Sequence, residues 1–188
     1  MPGGEKAKAA MLLILLSFNQ TFNCKQLFMR KIALCLSLVA LLLANCFKDK
    51  NDCVPRNIVA PSTEQQTLAD YITSRGISAT KHASGLYYQV LQEGTGNSPA
   101  ICSSIKVGFN GKLISGAEVE RDDQTVLNLK LMLEGWRIAL PLIKTGGRIK
   151  IWLPPSLGYG WDGKKVGSTE VVPPNSILIY DITLYEVL

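Results

Sequence analysis

The sequence predicts an α+β fold in which an antiparallel β-sheet packs on one short α-helix. Between residues 85 and 188, apolar side chains alternate with polar ones at period two in several segments. Turn-forming residues separate these segments, and one segment among them has helical spacing. Many strands joined by hairpin-type turns favour an antiparallel sheet with one face on the helix. A short accessory helix is expected N-terminal to this sheet.

The first 45 residues have the features of a targeting region. A charged start, Met29-Arg30-Lys31, precedes an apolar run from Ile32 to Leu43, so residues 29–45 are predicted to be a signal peptide. The run ends in Leu43-Ala44-Asn45-Cys46, which resembles a bacterial lipoprotein signal with Cys46 as the lipidated residue. Asn45 stands where Gly, Ala or Ser is usual. The alternatives are a secretory signal without lipidation and a retained membrane helix, for which about 14 apolar residues are short.

An earlier apolar run, Met11–Leu16, precedes this signal. Because two consecutive leaders make little physical sense, we hypothesise that translation starts at Met29. Residues 1–28 would then be a mis-assigned upstream segment. A peptide spanning Lys25–Lys31, found in the unprocessed precursor, would contradict this hypothesis.

Residues 46–61 are polar and contain two prolines, as expected of a tether between a lipid anchor and a domain. The whole chain has a formal net charge of +5, but residues 46–188 hold 15 basic and 14 acidic residues. The excess charge therefore lies in the predicted leader. No basic stripe remains to favour nucleic-acid binding.

The cysteines and the single histidine limit the chemistry. His82 is the only histidine and no Cys-x-x-Cys motif occurs, so a zinc site or a catalytic triad is disfavoured, and no metal or cofactor is expected. The five cysteines are Cys24 and Cys35 in the leader, Cys46 at the proposed lipid site, and Cys53 and Cys102. The last two can pair in an oxidising compartment, and two unpaired thiols are the alternative.

Residues 62–84 are predicted to form the accessory helix and a linker. Ser62 is expected to cap the helix, with Gln65 reaching back towards it, and Gly76 is expected to end it. The apolar side chains form a one-sided stripe of Leu68, Tyr71 and Ile72. The helix is interpreted either as a spacer or as a dimerisation or docking element.

The strands are predicted from their alternating apolar positions. These are Leu86, Tyr88 and Val90, then Ile105, Val107 and Phe109, then Ile149, Ile151 and Leu153. Val126–Leu133 is strand-like in part, and Ile177–Leu188 is a long closing strand. Asn110-Gly111 is predicted to be a turn, and Ser115-Gly116 a second one.

The central helix is predicted to run from Trp136 to about Thr145. Trp136, Ala139 or Leu140, and Ile143 fall on one face at helical spacing. Pro141 lacks an amide donor and would clash with the carbonyl of Arg137. We therefore expect Pro141 near the first turn or at a kink.

Six short motifs occur in a fixed order in the same region. They are Phe109-Asn110-Gly111, Gly135-Trp136, Gly146-Gly147-Arg148, Leu157-Gly158-Tyr159-Gly160, Val172-Pro173-Pro174-Asn175-Ser176 and Tyr180-Asp181. In this order and spacing, residues 85–188 resemble the FKBP-type peptidyl-prolyl cis/trans isomerases. The resemblance implies a curved antiparallel sheet wrapped around one short helix, in agreement with the strand and helix pattern.

The resemblance also implies isomerisation of X–Pro bonds. The barrier is ~18–20 kcal/mol because twisting the amide removes its resonance, and uncatalysed exchange takes tens to hundreds of seconds. The planar amide is the more charge-separated form, so an apolar pocket disfavours the ground state relative to the twisted state. Such chemistry needs no nucleophile, metal or cofactor.

The resemblance assigns roles to individual residues. Trp136 would be the floor of a proline pocket, with Phe109, Met132, Leu133 and Tyr180 as its walls. Tyr159 would donate its hydroxyl to a substrate or inhibitor carbonyl, the backbone N–H of Val172 would hold another carbonyl, and Glu120 would accept a hydrogen bond at the pocket edge.

Several residues depart from the family pattern. Val119 and Leu127 stand where the family often has Phe, Phe109 where it often has Tyr, and Glu120 where it commonly has Asp. A wider, less aromatic pocket with lower activity is therefore expected. Trp161, in a nearby loop, is interpreted as a packing residue rather than a substrate-contacting one.

The expected protein is a lipid-anchored isomerase that helps exported proteins fold. It would lie in the bacterial cell envelope, at the outer membrane or the periplasmic face, with proline-containing proteins as clients and with macrolide inhibitors as ligands. The alternative is a non-catalytic module that binds proline-containing peptides or a partner, followed by a structural envelope lipoprotein. The sequence leaves the oligomeric state, the leaflet and the client open.

Overall fold

An antiparallel sheet of six strands is the framework of the domain. The computed structural model describes residues 53–54 and 56–188. The predicted upstream segment, the signal peptide, Cys46 and about half of the tether lie outside the described residues. The sheet and its few short helices confirm the predicted α+β fold class.

The helices and strands follow one another with short connections. They are α1 Ser62–Ser74, β1 Thr80–Lys81, β2 Tyr87–Gln92, β3 Ser104–Leu113, β4 Glu118–Asn128, α2 Glu134–Ala139, β5 Arg148–Leu153, β6 Lys164–Val166, β7 Thr169–Val172 and β8 Leu178–Val187. Three-residue 3₁₀ turns at Leu129–Leu131, Leu140–Leu142 and Pro155–Leu157 flank α2 and follow β5. The order in the sheet is β1-β2-β5-β8-β3-β4, and β6 and β7 form a separate hairpin.

The two faces of the sheet bury two different clusters. On the inner face, Ile149, Ile151 and Leu153 of β5 join Tyr180 and Ile182 of β8 in the core around α2. On the outer face, Leu68 and Ile72 of α1 pack with Trp152 of β5 and with Ile177, the residue before β8. Alternation at period two therefore predicted the inner face correctly, while Trp152 is buried by α1 on the other face.

The central helix is shorter than predicted. The α-helix begins at Glu134 rather than Trp136 and ends at Ala139, and residues 140–142 continue as a 3₁₀ turn. Pro141 lies in that turn, so it stands at the end of the helix and not in its first turn. Without an amide hydrogen it cannot continue the α-helical ladder. The predicted apolar face is nevertheless buried, from Trp136 to Ile143.

The predicted turn at Asn110-Gly111 is wrong, because both residues lie inside β3. The hairpin turn follows at residues 114–117, where Gly116 has a φ of 92° and its N–H donates to the carbonyl of Leu113. This agrees with the second predicted turn, at Ser115-Gly116. Gly111 serves a different purpose: a Cβ there would lie 2.5 Å from Cε1 of Tyr180. The glycine lets the Tyr180 ring cross the strand closely.

The predicted capping box of the accessory helix is also wrong. Pro61 occupies the N-cap position and Ser62 is already helical, with no side-chain cap. The Gln65 amide instead donates to the carbonyl of Ala60 at 2.8 Å. Gly76 ends the helix as predicted, with a φ of 60° and its N–H donating to the carbonyl of Thr73.

Cys53 and Cys102 form a disulfide, with their Cα atoms 5.3 Å apart. It ties the segment before α1 to the loop before β3, across 49 residues of sequence. Within the described residues, no helix is long and apolar enough to cross a membrane.

Candidate functional site

A cavity of about 310 Å³ opens beside the start of α2. It is lined by Phe109, Glu120, Leu127, Leu131, Met132, Leu133, Trp136, Tyr159 and Lys164. Most of these side chains are apolar, and the polar groups lie together on the side of Glu120. A mostly apolar concavity with a few grouped polar side chains is typical of a small-ligand or peptide site.

Trp136 is fixed at the base of this cavity by two aromatic neighbours. Its ring meets Phe109 edge-on at 5.0 Å between centroids, and Tyr180 edge-on at 5.3 Å. Only 3% of Trp136 is exposed, and its indole nitrogen has no hydrogen-bond partner among the described residues. Such edge-to-face contacts hold the indole in one orientation.

Close packing of α2 against β5 brings Trp136 into place. A Cβ on Gly135 would lie 2.2 Å from Cδ2 of Leu153, so only glycine permits this approach. Asn128 caps the 3₁₀ turn before α2, because its side chain accepts a hydrogen bond from the Lys130 N–H at 3.0 Å. This turn leads directly into Met132 and Leu133, which form the adjoining wall.

Glu120 is the centre of the polar side of the cavity. Tyr180 donates its hydroxyl to one carboxylate oxygen, and the Lys164 ammonium forms an ion pair with the other. The Tyr159 hydroxyl lies 3.2 Å from both oxygens. The carboxylate of β4 therefore connects to β8, to the loop that carries Tyr159, and to Lys164 of β6.

The surroundings favour the protonated forms of the three donors. Burial raises the pKa of Tyr180 and of Tyr159, and in both cases the negative charge of Glu120 raises it further. Burial by itself would lower the pKa of Lys164, but the hydrogen bond to Glu120 and the one to Tyr159 outweigh it, so the net pKa is raised. All three groups thus remain donors at neutral pH.

The loop after β5 presents Tyr159 to the cavity. The N–H groups of Gly158 and Gly160 both donate to the carbonyl of Pro155, at 2.9 and 2.8 Å, and Gly160 has a φ of 60°. This tight turn holds Tyr159 between two glycines. The Lys164 ammonium also lies over the Tyr159 ring, 5.1 Å from its centroid.

The structure brings together most of the residues assigned from the resemblance. Phe109, Glu120, Leu127, Met132, Leu133, Trp136 and Tyr159 line one cavity. Tyr180 lies beneath Trp136, completely buried, rather than at the cavity surface. Val119 packs against the core outside the lining. Val172 is buried in β7, opposite Lys164 of β6, and does not line the cavity either.

Sequence reasoning missed two lining residues and misjudged a third. Leu131 lines the cavity and is 76% exposed. The sequence signal that could have identified it is its position next to Met132, which was assigned to the pocket. Lys164 had no signal in the sequence, because its partner Glu120 lies 44 residues away. Trp161 is 78% exposed, so the packing interpretation is wrong. It extends from the same loop into solvent.

The fold and the cavity define a class of protein: an α+β domain in which an antiparallel sheet and a short helix surround a cavity with an aromatic floor. The sequence model of the family described as "FKBP-type peptidyl-prolyl cis-trans isomerase" matches residues 96–185. A probable FKBP-type peptidyl-prolyl cis-trans isomerase of Haemophilus influenzae is 32% identical over 63% of this chain and 48% of its own length. The peptidyl-prolyl cis-trans isomerase Mip of Coxiella burnetii is 36% identical over 56% and 46%.

Solved structures agree with these sequence relatives. The crystal structure of FkpA from Escherichia coli has a TM-score of 0.59 and 30% identity, covering 67% of this chain and 60% of that one. A peptidyl-prolyl cis-trans isomerase from Pseudomonas syringae shares the fold, with a TM-score of 0.57 over 68% of this chain and 96% of that one. Residues 96–185 of this chain are therefore similar to the FKBP-type peptidyl-prolyl cis-trans isomerase family. The chain spans less than half the length of the curated relatives described above.

Proposed function

We propose that this protein is a peptidyl-prolyl cis/trans isomerase whose site is the cavity above Trp136. The observation that carries the proposal is the indole held between Phe109 and Tyr180 at the base of a mainly apolar cavity. A proline ring on this floor would place its preceding amide among apolar walls. Such surroundings disfavour the charge-separated planar amide more than the twisted one, which lowers the barrier.

The polar side of the cavity would orient the substrate. Tyr159 donates to Glu120 at 3.2 Å, which is longer than a typical O–H···O bond. A substrate carbonyl entering here would compete for that hydroxyl. The charge of Lys164, paired with Glu120, would stay on the side of the cavity and away from the amide.

The test is cis-to-trans exchange of a short X–Pro peptide, with the chain compared with Trp136→Leu and Tyr159→Phe. The chain should accelerate exchange, and Trp136→Leu should lose at least about tenfold, equivalent to 1.4 kcal/mol. Tyr159→Phe should lose about 2–10-fold, as expected for one hydrogen bond. Tyr185→Phe, on β8 and outside the cavity, is the control and should behave as the wild type. Exchange at the background rate for the wild type would end the enzyme proposal.

A second candidate is a non-catalytic module for proline-containing peptides. It is favoured by the aliphatic wall at Leu127 and by the engagement of the Tyr159 hydroxyl with Glu120. In that case peptides would bind without faster exchange. If exchange is accelerated and a macrolide of the family's inhibitor class blocks it, this candidate falls.

We further propose that the protein is lipid-anchored in the bacterial cell envelope and acts on exported proteins. The motif Leu43–Cys46 supports the anchor. The disulfide between Cys53 and Cys102 supports an oxidising compartment, where such bonds persist. Cys46→Ala should release the protein from the membrane fraction, whereas Cys35→Ala should leave it there. Retention of the Cys46→Ala protein would contradict the anchor.

A further inference from the structure

Lys164 contributes a positive charge to the lining of the cavity above Trp136. Glu120 and Lys164 are the two charged residues of that lining, and the others are apolar except for Tyr159. In a mainly apolar site, a few polar groups decide which ligands fit, because a charge partly removed from water acts more strongly on a ligand charge. The balance between Glu120 and Lys164 therefore affects which peptides the cavity accepts.

The negative charge of Glu120 is already satisfied by the protein. Its two carboxylate oxygens accept hydrogen bonds from Tyr180, Tyr159 and Lys164. Tyr180 is completely buried, so a ligand does not displace that donor. Hydrogen bonds to a carboxylate stabilise its charged form. Glu120 therefore repels a ligand acid less than a carboxylate without these donors would.

The Lys164 ammonium has fewer partners. It donates to one carboxylate, that of Glu120, and lies over the ring of Tyr159 at 5.1 Å from the centroid. In the described part of the chain, no second carboxylate forms an ion pair with it. The Lys164 side chain is 29% exposed and has a flexible stem. Because an ammonium has three N–H donors, Lys164 can interact with a ligand carboxylate while it stays paired with Glu120.

The neighbouring charges do not cancel that of Lys164. Lys165, the next residue of β6, stands opposite Glu170 of β7 in the strand register, and opposite charges in this position offset each other. Asp162 is exposed and lies outside the cavity lining, so solvent and salt screen its charge. A ligand in the cavity therefore meets Lys164 as its positive neighbour.

The proposed substrate position places the residue before proline near Lys164. With the proline ring on Trp136, the carbonyl of the preceding residue can take the hydroxyl of Tyr159, which is adjacent to Lys164. The side chain of that residue begins beside the same carbonyl. We propose that Lys164 is a specificity-determining residue and makes the site favour a proline preceded by Glu or Asp. This inference rests on the proposed function, because it uses the same site and the same substrate position.

The test is equilibrium titration of the chain with blocked tetrapeptides, acetyl-Ala-X-Pro-Phe-amide, in which X is Glu, Gln or Lys. Gln is the neutral isostere of Glu, so this pair isolates the effect of charge. The Glu peptide should bind about three- to fivefold more tightly than the Gln peptide, as expected for one partly exposed charge pair. The Lys peptide should bind more weakly than both. Equal binding of the Glu and Gln peptides would overturn the proposal.

Variants assign the preference to Lys164. Lys164→Met should abolish it, whereas Lys164→Arg should retain it because the charge is kept. Lys165→Met, one residue further along β6 and outside the cavity, is the matched control and should bind the peptides as the wild type does. A preference that survives in Lys164→Met would contradict the assignment. If Lys164→Met does not fold, the wild-type order still decides, because a Lys peptide bound as tightly as the Gln peptide would overturn the proposal.

Cis-to-trans exchange of the same peptides, measured by NMR, separates this proposal from the proposed function. Faster exchange with equal binding of the Glu and Gln peptides would overturn the role of Lys164 and leave the isomerase proposal standing. Tighter binding of the Glu peptide without faster exchange would overturn the isomerase proposal and support the role of Lys164. Absence of both binding and faster exchange would overturn both.

Discussion

At the scale of single residues, Glu120 accounts for most of the polar structure of the site. It accepts hydrogen bonds from Tyr180 of β8, from Tyr159 of the loop after β5 and from Lys164 of β6. Its side chain is 21% exposed and that of Lys164 29%. Partial burial reduces the screening of the ion pair by solvent and salt, whereas a fully exposed pair gives only a small net gain.

Replacing this carboxylate should loosen the site. We expect Glu120→Gln to lower the free energy of unfolding by about 1–3 kcal/mol, because Lys164 loses its counter-charge and the tyrosines lose a charged acceptor. Urea denaturation measures the change. Glu118→Gln, on the same strand but exposed, should change it by less than about 0.5 kcal/mol. An equal effect in the two variants would contradict this account.

The buried hydroxyl of Tyr180 should make stability depend on alkaline pH. Burial and then the charge of Glu120 raise its pKa, so folding favours the protonated form. Its contribution is fully present below the unfolded pKa of about 10 and is lost as pH rises above it. The raised pKa values of Tyr159 and Lys164 act in the same direction.

Between pH 10 and 12, we therefore expect Tyr180→Phe to reduce the slope of unfolding free energy against pH. The reduction should rise from about 0.7 kcal/mol per pH unit at pH 10, where half of the unfolded tyrosine is ionised, towards about 1.4 kcal/mol per pH unit at pH 12. Denaturation at a series of pH values measures it, with Tyr185→Phe as the exposed control on the same strand. Parallel curves for the wild type and Tyr180→Phe would refute the prediction.

At the scale of elements, α1 belongs to the folded structure of the domain. The stripe that suggested a docking surface is buried against the chain's own sheet, at Trp152 and Ile177. Glu64 of α1 also accepts a hydrogen bond from the N–H of Ser156 at 2.9 Å. Ser156 lies three residues before Tyr159, so α1 supports the loop that carries part of the site.

Truncating the stripe should test this support. We expect Leu68→Ala to cost about 2–5 kcal/mol, because Leu68 is completely buried and its removal leaves a cavity. Thermal or urea denaturation measures the loss. Gln66→Ala, on the exposed side of the same helix, should change stability by less than about 0.5 kcal/mol. A small effect of Leu68→Ala would show that α1 is only a spacer.

At the scale of the whole molecule, the disulfide connects segments that the sheet does not join. Cys53 precedes α1 and Cys102 precedes β3. Residues 56–59 and 99–101, which are close to the two cysteines in the chain, both line a cavity of about 590 Å³. The bond therefore holds together two walls of that cavity as well as closing a long loop in the unfolded chain.

Removal of the bond should lower stability and loosen these walls. We expect Cys53→Ser with Cys102→Ser to cost about 2–4 kcal/mol, the usual contribution of a disulfide. Hydrogen exchange should quicken first at the Ala60 amide, which donates to the Ser84 carbonyl at 2.9 Å. Unchanged exchange there, with stability unaltered, would contradict the structural role of the bond.

The failures of sequence prediction share a cause. Asn110-Gly111 is a turn signal by local preference, but the glycine is required by the Tyr180 ring, which is 69 residues away in the chain and adjacent in the sheet. Ser62 is a good cap by local preference, but Pro61 precedes it and the helix begins one residue early. At Gly111 the contact with the Tyr180 ring outweighs the local turn preference, and at Ser62 the helix start at Pro61 outweighs the local capping preference.

The sequence by itself determined the fold class, the inner face of the sheet, the buried stripe of α1 and most of the residues around Trp136. These follow from local periodicity and from the order of short motifs, which are both read along the chain. The tertiary structure alone decided that Lys164 pairs with Glu120, that Cys53 pairs with Cys102, and that Arg137 is buried. Charge pairing, disulfide pairing and burial depend on distances between segments that are remote in the sequence, and only the folded chain sets those distances.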